Sequence, residues 1–163
     1  MRFHGIIALA ALTIAAPAAA KRAKVGQLAP PTTITLVDNS QVNLADLKGK
    51  VVVINHWATW CGPCKAEMPM MSAFHAKMKV HGFEIFGVTT EDSLPASKMP
   101  KLIASLSYRL ARKLSGNGYP ILNGVPTSYI IDRKGVVRYA KAGSFEPQEF
   151  IALIVPLLNE RAQ

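Results

Sequence analysis

Val51-Val52-Val53-Ile54-Asn55-His56-Trp57-Ala58-Thr59-Trp60-Cys61-Gly62-Pro63-Cys64-Lys65 holds the organising signal of this 163-residue chain. The continuous apolar run Val51 to Ile54 suits a central strand buried on both faces. Pro63 is compatible with a first helical turn, where its missing N–H goes unused. Between strand and helix stand the only two cysteines of the chain, in a Cys-x-x-Cys. A strand that runs into a Cys-x-x-Cys opening a helix puts the first thiol where helix N–H groups stabilise its thiolate. The pair is therefore read as a thiol-disulfide redox centre. A structural bridge closing so short a loop would remove little unfolded-chain entropy. A zinc site needs two further ligands, and His56, His75 and His81 do not supply a pair at matching spacing. No metal site is expected.

Working outward, Thr32 to Val37 alternates like a strand, Asp38-Asn39-Ser40 reads as its turn, and Val42-Asn43-Leu44 returns as a hairpin. Leu47 to Lys50 breaks the chain before the strand Val51 to Asn55. A helix follows to about Lys79, with Ala66, Met70, Ala73, Phe74 and Met78 near helical spacing and Pro69 expected to kink it. Met68, Met70, Met71 and Met78 are read as core filling. Phe83 to Val88 is the next strand. Pro95 to Ser105 reads as helix, Leu106 to Leu110 as a short strand, and a basic, glycine-rich connection ends at Gly124. Val125 to Asp132 resumes a strand, Arg133-Lys134-Gly135 turns it, and Val136 to Ala140 pairs back antiparallel. The last helix runs from about Pro147 to Leu158, capped at Ser144 and bent at Pro156. The sum is an α/β fold, a mixed sheet with helices on its faces.

Residues 1–20 have the pattern of an export signal: Arg2, an apolar stretch from Gly5 to Ala16, then Ala18-Ala19-Ala20 before a cleavage point. Spanning a membrane takes about 20 apolar residues, whereas this run is interrupted by Pro17 and closed by Lys21 and Arg22, so an uncleaved anchor is the weaker alternative. The segment has no cysteine for a lipid anchor. Residues 21–163 are left for one domain. Net charge is +9, or about +8 without Arg2, which favours anionic membrane surfaces or acidic partners and allows a peripheral membrane contact. Lys and Arg are spread rather than set in a basic stripe interleaved with aromatics, which argues against nucleic acid. An exported Cys-x-x-Cys is either a folding oxidant or a reductant that must be recharged.

Val53 to Pro69 resembles the active-site stretch of the TlpA/ResA-like exported thioredoxins, and Gly124-Val125-Pro126-Thr127-Ser128-Tyr129-Ile130-Ile131-Asp132-Arg133-Lys134-Gly135 is similar to the cis-proline strand and turn of that family. The resemblance covers roughly residues 30–158, weakly over 92–123. It implies a thioredoxin fold with an added N-terminal β-hairpin and an insertion before the cis-proline strand. It also implies Cys61 as exposed nucleophile, Cys64 as buried resolving thiol, and no cofactor. Pro126 would be cis across a groove from the disulfide, with the Val125 backbone free to pair with a partner segment. Trp60 would cover the thiol, while Trp57 joins the core. Glu67, three residues beyond Cys64 on the same side of the helix, is placed to manage the Cys64 proton; the alternative is a solvated helix glutamate. Asn55 stands where thioredoxins carry a buried acid and cannot take that proton. His56 replaces an aromatic and reads as a satisfied core histidine.

The resemblance implies a periplasmic, monomeric thiol-disulfide oxidoreductase acting on protein disulfides. Gly62-Pro63 biases the pair towards a reductant, recharged by a membrane thiol-reducing partner. A disulfide-forming oxidant or isomerase is the first alternative, and a binding module with a structural disulfide is another. A peroxiredoxin expects Pro-x-x-x-Thr-x-x-Cys, but Ile54 and Ala58 occupy those positions. The Gly-Ala-Pro-Glu-Thr element of dedicated haem-maturation relatives is absent as well.

Overall fold

In the computed structural model, which describes residues 22–161, a seven-stranded mixed sheet is built around the long apolar run. The strands are β1 (Thr33–Leu36), β2 (Gln41–Asn43), β3 (Val51–Trp57), β4 (Phe83–Thr89), β5 (Arg109–Leu114), β6 (Thr127–Ile131) and β7 (Val137–Ala142). The helices are α1 (Gly62–Met78), α2 (Pro100–Ser105) and α3 (Pro147–Asn159), with short 3-10 turns at Leu44–Leu47, Lys79–His81 and Ala96–Lys98. Strand order is β2-β1-β5-β4-β3-β6-β7. The β3–β4 and β4–β5 pairs are parallel, whereas β3–β6, β6–β7, β1–β5 and β1–β2 are antiparallel. The leader assigned to residues 1–20 lies outside the described residues. Among those described, no helix is long and apolar enough to cross a membrane.

Every residue of β3 is buried, because α1 and α3 cover one face, and the amino-terminal segment, the Leu44–Leu47 turn and Tyr119 the other. Alternation along the strand sends Val51, Val53 and Trp57 into the core shared with Cys64, Met68, Met71, Phe83, Phe150 and Ile154. Val52 and Ile54 point the other way, into a second core with Ile34, Leu36, Phe86, Tyr129 and Val137. Each such side chain, fully buried, stabilises the fold by roughly 1.5–3 kcal/mol. In α3, Phe150, Ile154 and Leu157 recur at helical spacing and form its buried face.

The structure differs from the sequence reading at several boundaries. β3 continues two residues past Asn55, carrying His56 and Trp57 into the sheet. The strand expected at Leu106 to Leu110 lies later, at Arg109–Leu114, inserted between β4 and β1. Its inward residues Leu110 and Ala111 are buried, but Arg109, Arg112 and Lys113 interrupt the apolar pattern that would have announced it. The helix expected over Pro95 to Ser105 is divided into a 3-10 turn and α2. Ser144 does not cap α3: the cap residue is Glu146, which makes no side-chain cap bond, and Pro147 opens the helix. α1 runs on through Pro69, where the missing N–H leaves the Lys65 carbonyl without its helical partner.

Candidate active site

The end of β3 delivers the chain to Cys61, which is the N-cap of α1. Cys61 N donates to Ala58 O at 3.1 Å, and Cys61 Sγ accepts from Cys64 N at 3.2 Å. A sulfur in that position sits against the positive end of the helix, where a thiolate is favoured. Cys61 and Cys64 are joined by a disulfide, with Cα atoms 5.3 Å apart. Cys61 keeps only 4% of its surface exposed and Cys64 none. The first sulfur is thus less open than the exposed nucleophile expected, because β3 and the loop before β6 close around it; Cys61 Sγ lies 3.7 Å from the Val125 carbonyl oxygen. The Val125–Pro126 peptide is cis. Gly62 and Pro63 occupy the exposed first turn of α1 between the sulfurs.

Trp60 stands at the rim, 61% exposed, its indole N–H donating to Asp92 Oδ2 at 2.9 Å. That anchor ties the tip of the redox loop to the loop after β4. Thr59 reinforces it: its N–H donates to Ser93 Oγ at 3.2 Å and its Oγ1 accepts from Leu94 N at 3.0 Å. Trp57 is wholly buried in the core.

Glu67 is not a solvated helix residue. It is buried beneath the redox helix, accepting from Asn55 Nδ2 at Oε1 and from Phe145 N–H at Oε2, each at 2.9 Å. Burial pushes its carboxyl up, and the Phe145 and Asn55 bonds only partly offset that. Asn55 also donates to Ser128 Oγ at 2.9 Å, so one amide ties α1 to β6 beside the cis-proline. Asn55 is unable to take a proton, but it orients the group that can. Burial, and secondarily the Glu67 charge, push the Tyr108 phenol up and keep it protonated.

His56 faces the opposite side of β3. Burial drives it down to about 4, with a backbone hydrogen bond to Tyr119 as the smaller, opposing influence. It is a neutral core histidine, but not a satisfied one: Nε2 has no partner among the described residues. No cluster of three or more His, Cys, Asp or Glu that could hold a metal occurs among the described residues. The structure therefore gathers Cys61, Cys64, Glu67, Val125 and Pro126 at one end of the sheet, with Trp60 at the edge. Phe145 and Ser128, which complete the carboxylate's surroundings, carry no signal in the sequence: one contributes only a backbone N–H, the other an ordinary strand hydroxyl.

Comparison with known proteins agrees with this geometry. The family model described as Redoxin matches residues 24–152. The thiol-disulfide oxidoreductase ResA of Bacillus anthracis is 34% identical over 121 residues, covering 72% of this chain and 69% of its own. The thioredoxin-like protein YneN of Bacillus subtilis (strain 168) is 31% identical over 132 residues, covering 76% and 75%. Among solved structures, a thiol:disulfide interchange protein of the thioredoxin family from Chlorobium tepidum TLS superposes with a TM-score of 0.68 at 27% identity, covering 88% of this chain and all of the other.

Proposed function

The chain belongs to the redoxin family and is a thiol-disulfide oxidoreductase, and on that footing we propose that it is an exported reductant of protein disulfides. The observation that carries the reading is the asymmetry of the pair: Cys61 keeps the only exposure and caps α1, whereas Cys64 is sealed beneath it, three residues before the buried Glu67 on the same helix. In the reduced protein, the Cys61 thiolate attacks one sulfur of a partner disulfide. That bond breaks, a Cys61–partner mixed disulfide forms, and the first partner thiolate leaves and takes a proton. Cys64 then gives its proton to the Glu67 carboxylate and attacks Cys61 Sγ. The mixed disulfide breaks, the second partner sulfur leaves as a thiolate and takes a proton, and the Cys61–Cys64 bond closes.

The neighbouring groups have separate tasks in this scheme. The Val125 backbone beside Pro126 receives the partner's extended segment, and Trp60 at the rim supplies apolar contact. Gly62-Pro63 favours a low potential, of the order of −270 mV rather than the roughly −120 mV of a strong oxidant. A reductant in the periplasm needs a supply of electrons, which a membrane thiol-reducing partner provides through the same disulfide. Both thiols and the carboxylate come from one chain, so the scheme needs no second copy, and the protein acts as a monomer in this reading.

Cys61→Ser abolishes the acceleration of insulin reduction by dithiothreitol, while Cys64→Ser still attacks and accumulates mixed disulfides whose partners can be isolated. Faster alkylation of Cys64 than of Cys61 in the reduced protein would reverse the assigned roles. Redox titration against glutathione tests the direction: a potential near that of strong oxidants would make the protein a disulfide donor.

A further inference from the structure

Exposed aliphatic side chains mark a second surface, at the end of the sheet opposite the disulfide. Trp60 and Leu94 stand beside the redox loop, joined through Thr59. Leu28 and Val80, 75% and 77% exposed, stand at the start of β3 instead. The seven residues of β3 separate the two ends by about 20 Å.

Backbone bonds hold this far end together as one surface. Val51 N donates to Gly82 O at 2.9 Å and Gly49 N to Arg133 O at 3.0 Å, while Arg133 Nη2 donates to His81 O at 2.8 Å. Ala29 N donates to Gly135 O at 2.8 Å, and Leu28 bridges to Val136. Four segments thereby place Leu28, Val80 and the exposed Lys48, Lys79 and Lys134 around one pole. None of these three lysines lies within ion-pair distance of a carboxylate among the described residues. The nearby acids are otherwise engaged: Glu84 is held between Lys50 and Arg109, Asp132 by Arg138 and two backbone N–H groups, and Glu160 by Arg138. Asp46 is the exposed acid left in this region. Beside Leu28 opens an apolar cleft of about 260 Å³, floored by Leu44, Leu47 and Ile131 and flanked by Lys48 and Lys134.

We propose that this pole docks reversibly on an anionic phospholipid bilayer, its lysines against headgroup phosphates and Leu28 and Val80 in the interface, so that the docked protein turns its disulfide away from the membrane towards soluble substrates and meets the membrane reductant only on release. Aliphatic tips ringed by unpaired lysines match a surface that is anionic above and apolar below. A second copy of the chain is a poorer occupant, because a two-fold contact would set the same lysines against one another. An acidic protein would complement the charge but not the cleft and the projecting aliphatics together.

The test uses residues 21–163, which contain every described element and both cores, in flotation with phosphatidylcholine vesicles with and without phosphatidylglycerol. The wild type should bind the anionic vesicles at least tenfold more strongly. Lys48→Glu/Lys79→Glu/Lys134→Glu should lose about 100-fold, since each lysine contributes about fivefold. Lys98→Glu/Lys101→Glu/Lys141→Glu, an equal charge change elsewhere, should stay within about twofold, whereas Leu28→Ser/Val80→Ser should weaken binding at unchanged charge. In the wild type, brominated phosphatidylglycerol should leave the fluorescence of exposed Trp60 unquenched. Equal losses from both lysine triples, no preference for anionic lipid, or quenching of Trp60 would each overturn the proposal; the last requires no variant to fold. Insulin reduction by the same proteins reads the redox chemistry separately, so failure there would count against the reductase and not against docking.

Discussion

At Glu67 a carboxylate that would prefer water is held by Asn55 and the Phe145 N–H, and its raised pKa brings proton exchange closer to neutral pH. Glu67→Gln keeps one acceptor oxygen but turns an NH₂ towards one of the two donors, which costs about 1–3 kcal/mol. Resolution of the mixed disulfide by Cys64 should slow by about 100-fold while Cys61 alkylation changes little, as loss of a general base predicts. The wild-type resolution rate should fall with acid through an inflection above the usual carboxylate range, and the variant should lack it; superimposable profiles would remove Glu67 from the mechanism. The linked stability has the opposite sense from an ordinary paired carboxylate. With the folded pKa raised, stability is complete below the unfolded value near 4.5 and declines as pH rises through the folded one. Helical spacing pointed to Glu67 from the sequence, but its burial did not show there, because the Phe145 donor lies 78 residues away.

At the scale of elements, the three inner strands β3, β4 and β5 leave no room above Gly87. A Cβ there would meet Leu110 Cδ2 at 2.8 Å, Tyr108 Cε2 at 3.2 Å and Trp57 Nε1 at 3.4 Å. Gly87→Ala should therefore destabilise by about 1–3 kcal/mol, read as a lower urea midpoint, because Leu110 must shift within a packed layer. Combined with Leu110→Ala, the total loss should be smaller than the sum of the two single losses, because the shortened side chain no longer meets the added Cβ. β3 and the start of α1 were legible because an unbroken apolar run and a proline-bearing turn are local signals. β5 was not, since its central place comes from pairing with β4 and β1, and its sequence is half basic.

For the whole molecule, His56 links the core to pH. It is neutral in the fold down to about 4 but titrates near 6.5 when unfolded, so the unfolded chain binds the extra proton between those values. Stability is complete above pH 6.5 and falls as pH drops towards 4, by about 3 kcal/mol from this group. His56→Phe should remove that share of the acid sensitivity, measured as the difference between the two proteins' urea midpoints at about pH 7 and about pH 4.5. An unchanged difference would mean that His56 is not held neutral by the core. Glu67 acts in the opposite direction over part of this range, so the comparison must be between proteins, not between pH values alone.

Some properties of this protein follow from local order along the chain. Cysteine spacing, the apolar run before it, and a proline in the first helical turn are enough for a redox helix after a buried strand, because each acts over a few residues of contiguous backbone. The Val-Pro-Thr strand and its turn are equally local. Folding supplied what depends on distant segments meeting: the closing of Val125 against Cys61, the burial of Glu67 by Asn55 and Phe145, the place of β5, and the gathering of three scattered lysines around Leu28 and Val80. Desolvation and charge depend on what surrounds a group in three dimensions, and the chain order of those neighbours does not encode it.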